Sequence, residues 1–272
     1  MSEHPFDQAI ALHPEDAHHY RGAPHPAWAN MVGPFGGITA ASALNGVLQH
    51  PQLLGAPVAL TVNYAAAVAD GPYRLSAVPM RTNRSTQHWT LAMTQPDAEG
   101  VMQTVLTGTA VTAARRETWS QNDMVLPQAP APQDVERVQL RGSEWLNRYD
   151  MRPVQGAVPR TWDGSGENSL TQMWVRDEPP RPMDFAALAA LVDVFFPRVW
   201  LRRATRVPAG TVSITTYFHA DAAMLARTGS DPVFGQAQGQ AFRNGFFDQT
   251  AQVWNQAGDL LATSHQIVYY KE

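Results

Sequence analysis

Apolar and polar residues alternate through "VALTVNYAA" (58–66) and "TVSITTYFHA" (211–220). A period of two with β-branched residues predicts a half-buried strand in each place. Two other stretches lose that alternation. "GGITAASALNGVLQH" (36–50) and "DFAALAALVDVFF" (184–196) are dominated by alanine and leucine, and both predict helices. Gly36 and Gly37 open the first as small residues suited to close packing, and Asp184 opens the second as a capping residue. Helices this apolar all round belong at the centre of a core.

Each half of the chain then closes with an arginine-led hairpin. One runs from Arg84 through "DAEG" to 111, the other from Arg243 through "QAGD" to 270. The turn glycines, Gly100 and Gly258, lie 16 and 15 residues after those arginines. Helix, strand and hairpin therefore recur in one order, which reads as a unit written twice. Between the copies, 120–139 is rich in Pro, Gln and Asp and reads as a linker, dividing the chain into 1–119 and 140–272. The expected architecture is α+β, with each of two antiparallel sheets wrapped around one helix. Two such sheets can pair edge to edge and so protect their edge strands.

The bulk numbers narrow the class. The chain has 272 residues, 44% of them hydrophobic and 16% charged, which suits a soluble globular protein with a substantial core. A formal net charge of -4 gives no reason to expect nucleic acid or an anionic membrane as partner. There are no cysteines, which removes disulfides, thiolate metal sites and a cysteine nucleophile, and fits a reducing cytoplasm. No basic segment followed by an apolar core opens the chain, and no apolar run is long enough to span a bilayer.

Within "ALAALVDVFF" one carboxylate, Asp193, interrupts an apolar run. An acid in such a place needs a partner or a task. Overlaying the two helices sets Asn45 of the first copy opposite Asp193, so the repeat itself does not demand a carboxylate there. His13, His18 and His19 lack a spacing that would converge them on a metal, and no metal site is expected. "DGSGENS" from Asp163 has neither phosphate-loop nor nucleophile-elbow spacing and reads as a loop.

"GPFGG" before the first helix, "WVRD" (174–177) before the second and "TVSITTYFHA" after it together resemble the double-hotdog acyl-CoA thioesterases of the thioesterase II type. The resemblance covers 6–271 and rests on the order and spacing of short motifs. It implies a double hotdog and a water-activating site in the second half. An Asp on the helix, a Thr on the next strand and a Gln on the last strand map to Asp193, Thr211 and Gln266. It implies no metal, no covalent intermediate and no cofactor, since coenzyme A enters as part of the substrate. A homo-oligomer is expected with it. The chain departs from the family in the interval of 18 residues between Asp193 and Thr211, and at Ala220, Ile267 and Val268, which marks a diverged branch.

A thioester is hydrolysed when a base takes a proton from water as the bond forms and the developing oxyanion is stabilised. A carboxylate in apolar surroundings suits the base, and a hydroxyl and an amide suit the orientation of the water. Arg202, Arg203 and Arg206, with Arg198, are candidates for the phosphates of coenzyme A, although such a run also reads as a solvated loop face. Phe195, Phe196 and Trp200 read either as an acyl pocket or as core. Two rivals to hydrolysis share the fold: a non-catalytic acyl-CoA binding protein, and an enoyl thioester hydratase that would use His219.

Overall fold

The computed structural model describes residues 3–272 and divides into two compact units. The first takes the residues up to Trp119 together with Leu140–Arg148 and Asp184–Leu191. The second takes Ser120–Gln139, Tyr149–Met183 and Val192–Glu272.

In the first unit lie α1 (Pro5–Ala9), β1 (His13–Pro14), β2 (His19–Gly22), α2 (Gly36–Leu48), β3 (Ala56–Tyr64), β4 (Tyr73–Thr82), β5 (Thr86–Pro96) and β6 (Met102–Ala113). They are joined by α3 (Phe185–Leu191). Its strands are ordered β1-β2-β4-β5-β6-β3, and all neighbours are antiparallel.

The second unit holds β7 (Tyr149–Gln155), β8 (Thr171–Asp177), α4 (Arg198–Arg203), β9 (Ala209–Phe218) and α5 (Ala222–Thr228). After these come β10 (Val233–Gln238), β11 (Phe242–Arg243), β12 (Phe246–Trp254) and β13 (Leu260–Tyr270). Its order is β7-β8-β10-β12-β13-β9, again antiparallel, with the short β11 against β12. Setting β11 aside, the two orders correspond strand for strand.

The hairpins β5–β6 and β12–β13 form where the sequence predicts them. Gly100 and Gly258 take φ of 81° and 88°, the left-handed conformation their turns require. Helix α2 buries Ala40, Ala41, Ala43, Leu44 and Val47 almost completely. Gly37, at its start, lies so close to α3 that a Cβ there would sit 2.4 Å from the carbonyl oxygen of Ala190. The close-packing role expected of the glycine pair thus falls on Gly37. Asp184 caps α3 as expected, its carboxylate accepting from the Ala187 N–H at 2.8 Å.

The long second helix expected over 184–196 does not form. Helix α3 has seven residues and stops at Leu191, so Asp193 lies in the turn beyond it. Val192, Asp193 and Val194 are all poor helix formers, and the Pro197 ring would clash with the Asp193 carbonyl if the helix ran on. The arginine run, read as a loop, instead begins helix α4.

In the second unit, 120–139 lies against a cluster of Trp174, Phe234 and Trp254, with Leu126, Ala129 and Val135 packed on it. The Trp174 and Trp254 indoles donate to the carbonyls of Pro130 (2.9 Å) and Met124 (3.2 Å). Among the described residues no helix is long and apolar enough to cross a membrane.

Two of the N-terminal histidines, His18 and His19, have protein side-chain partners. His19 meets the Asp16 carboxylate at 2.8 Å, and the His18 Nδ1 lies 2.9 Å from Nε2 of the buried His50. His50 Nδ1 accepts from the Gln52 N–H, so its single proton sits on Nε2 and points at His18. Burial, and then the His18 charge, hold His50 below the usual imidazole range, near 6.5. The unfolded chain therefore binds more protons below that value, and this contribution to stability is lost as the pH falls. Thermal melting should drop as the pH falls through and below about 6.5, and His50→Gln should flatten that part of the curve. A second outcome concerns Gly37: Gly37→Ala should cost about 1–3 kcal/mol in urea unfolding, because the methyl meets backbone on α3.

Candidate active site

On β13 the alternation is clean. Ser264, Gln266 and Val268 face inward and are buried, while His265, Ile267 and Tyr269 are exposed. Gln266 is flanked by Ile214 of β9 on one side and Gln249 of β12 on the other. Phe247, Gln249, Ala251 and Val253 are buried on β12, and Ile214, Thr216 and Phe218 on β9.

Thr211 lies three residues before Ile214, so an unbroken strand would turn it to the opposite face. A bulge prevents this. Ser213 pairs with Ile267 and Thr211 with Val268, which leaves Val212 as the extra residue. Thr211 therefore shares the face of Gln266, and its hydroxyl donates to Gln266 Oε1 at 2.9 Å. Two of the three expected residues are in direct contact.

Asp193 is half-buried in its turn, not sealed in a helix. Its surroundings are reported by Tyr149, which is fully buried. Burial, then the negative charges of Asp177 and Asp193, push the Tyr149 phenol well above its ordinary value. Tyr149 stands directly across from Asp177, the last residue of "WVRD", on the β7–β8 pair. Asp177 is itself buried.

The segment that follows Asp193 is pinned by Arg198, whose side chain has no exposed surface. Its guanidinium donates to the Phe196 carbonyl (2.8 Å), the Ser169 carbonyl (2.9 Å) and the Thr171 hydroxyl (2.7 Å). Burial lowers its pKa to about 9, which still leaves it charged near neutrality. This arginine is a structural anchor and not part of a solvated face. Arg202, Arg203 and Arg206 are exposed. Arg202 donates to the Gly166 carbonyl (3.0 Å), Arg203 pairs with Glu272, and Arg206 stacks over Trp200 at 5.8 Å.

Of the aromatics, Phe195 and Phe196 are buried. The Phe195 ring occupies the space a side chain at Gly235 would need. Trp200 packs on the Val199, Val207, Phe247 and Val268 cluster. His219 is exposed and shares a hydrogen bond with Thr263 at 3.1 Å.

Motif reading missed two further polar groups on the inner face. Gln249 Nε2 and Ser264 Oγ are buried with no protein partner within hydrogen-bond reach. Leaving a buried polar group unpaired costs about 1–3 kcal/mol. The alternation along β12 and β13 was the signal that would have found both.

The sequence profile for the acyl-CoA thioesterase C-terminal domain matches residues 121–270, and that for the N-terminal domain matches 25–113. Among solved structures, a conserved protein of unknown function with a hot dog fold from Alicyclobacillus acidocaldarius is 46% identical, with a TM-score of 0.93. The match covers 100% of this chain and 99% of that one. An acyl-CoA thioesterase II from Mycobacterium marinum is 18% identical with a TM-score of 0.75, covers 98% of each chain, and shares the fold. No curated protein matches the sequence. The two profile matches together take in most of the chain, on sheets of hotdog type, and the protein belongs to the acyl-CoA thioesterase family of enzymes.

Proposed function

We propose that this enzyme hydrolyses an acyl-CoA to a free acid and coenzyme A, using a water held by Asp193, Thr211 and Gln266. The observation that carries the reading is the Thr211–Gln266 hydrogen bond on the buried face, made possible by the bulge at Val212. We read the chain as a double hotdog, 1–119 and 140–272 joined through 120–139, with the site in the second half. The matching strand orders support that division.

The roles follow from donor and acceptor counts. The Thr211 proton is committed to Gln266, so the Thr211 oxygen is free to accept from the water. The water gives its other proton to the Asp193 carboxylate as its oxygen bonds to the thioester carbon. The carbonyl π pair moves onto oxygen, and collapse of the tetrahedral species breaks the C–S bond. The departing thiolate takes the proton back from Asp193, and the new acid ionises to solvent. Arg202, Arg203 and Arg206, exposed on and after α4, are positioned as candidates for the coenzyme A phosphates.

Thiol release from acetyl-, hexanoyl-, dodecanoyl- and benzoyl-CoA tests this reading. The wild type should turn over at least one, and Asp193→Asn should lose about 10²–10⁴-fold in kcat with its melting temperature kept and the acid limb of the pH–rate profile gone. Release of no thiol from any of the four would sink the hydrolytic reading, and a fully active Asp193→Asn would remove Asp193 from it. Thr211→Val should lower both activity and stability, the latter by about 1 kcal/mol, because Gln266 Oε1 then loses its buried donor. Equal activity in that variant would exclude Thr211 from the water site.

A further inference from the structure

Resting on the hydrolytic reading above, we infer that Gln249 is a further catalytic residue, its side-chain N–H donating to the carbonyl oxygen of the bound acyl thioester. Gln249 is 1% exposed and stands directly across from Gln266 on the same inward face. Side chains so paired have Cβ atoms about 4.5–5.5 Å apart, so the two amides border one space. Gln249 Nε2 is buried without a protein acceptor, and Ser264 Oγ, two residues before Gln266 on that face, is in the same state.

The first unit shows that the fold does not call for these groups. Measured from the turn glycines, Gln266 and Gln249 of β13 and β12 correspond to Gly108 and Leu91 of β6 and β5. Gly108 and Leu91 are likewise cross-strand partners. Ser264 and its partner Ala251 correspond to Leu106 and Met93, both completely buried. The same topological positions thus carry an apolar pairing in one sheet and unpartnered polar groups in the other. A polar group kept in a core at a cost to stability is accounted for when a ligand completes its bonding.

The chemistry assigns the donor its target. Hydrolysis needs acceptors for both water protons, which Asp193 and Thr211 supply, and a donor for the oxygen that becomes negative. The Thr211 proton is already committed to Gln266. Gln249 has an N–H with no other obligation, and it lies beside the residue that anchors the water. As water attacks, the C=O π electrons collect on the carbonyl oxygen, and that N–H strengthens its bond to it without moving.

Gln249→Met keeps the length of the side chain and removes the donor. In thiol-release assays on the whole protein, kcat should fall about 100-fold with KM changed only a few-fold. The melting temperature should stay level or rise, because an unpaired buried amide has been replaced by an apolar group. Infrared difference spectra of hexanoyl-CoA carrying a 13C carbonyl, bound to Asp193→Asn, give a second readout. The carbonyl stretch should sit at lower frequency there than in Asp193→Asn combined with Gln249→Met. Unchanged kcat, an identical stretch in the two proteins, or a lower melting temperature for Gln249→Met would each overturn the assignment. If the wild type releases no thiol yet the stretch still depends on Gln249, hydrolysis fails while the carbonyl contact stands. Failure of all four acyl-CoAs to bind would overturn both.

Discussion

The bulge at Val212 sets the face on which Thr211 sits, and the hydrogen bond from Thr211 to Gln266 depends on it. A regular strand has only two faces, and in the second unit one of them is the core. Without the extra residue, the Thr211 hydroxyl would turn away from the inner face and the Gln266 amide would lose its donor. The proposed chemistry of the second sheet therefore depends on a local irregularity in backbone pairing as much as on which side chains are present.

Around that bond the inner face holds a mixed environment. Ile214, Phe218, Phe247 and Val268 keep it largely apolar, while Gln249, Ser264 and Gln266 bring in groups that water would otherwise solvate. Apolar neighbours strengthen any hydrogen bond made there and make any missing one expensive. The first sheet settles the same positions with Leu91, Leu106, Met93 and Gly108, which pack without polar demands. One topology thus carries apolar pairs at these positions in one unit and buried polar groups in the other.

What could be read in the sequence followed from strong local signals. The alternating strands, both hairpins with their turn glycines, the Asp184 cap and the close approach at Gly37 each rest on a few neighbouring residues. The end of α3 was harder, because its alanine-rich pattern continues smoothly into "LVDVFF", and the stop depends on Val192, Val194 and the downstream Pro197 together. Arg198 was misread for a different reason. In sequence it belongs to a run of arginines, and only the fold separates one fully buried guanidinium from three exposed ones. Gln249 escaped because motif reading looked for types known to do chemistry, whereas its interest comes from alternation and from the residue opposite.

Arg198 carries a consequence for how the second unit assembles. Its acceptors come from the Phe196 carbonyl beside it, from Ser169 and Thr171 at the start of β8, and from Ala237 near the end of β10. These lie up to 39 residues away along the chain, and none is a carboxylate. A guanidinium can leave water only when such dipoles are already gathered around it. With β8 or β10 missing the site stays open and the guanidinium keeps its hydration, so Arg198 is sealed from water only when both strands are in place. The residue therefore acts as a cooperativity device, coupling the ordering of the Asp193 turn to completion of two distant strands.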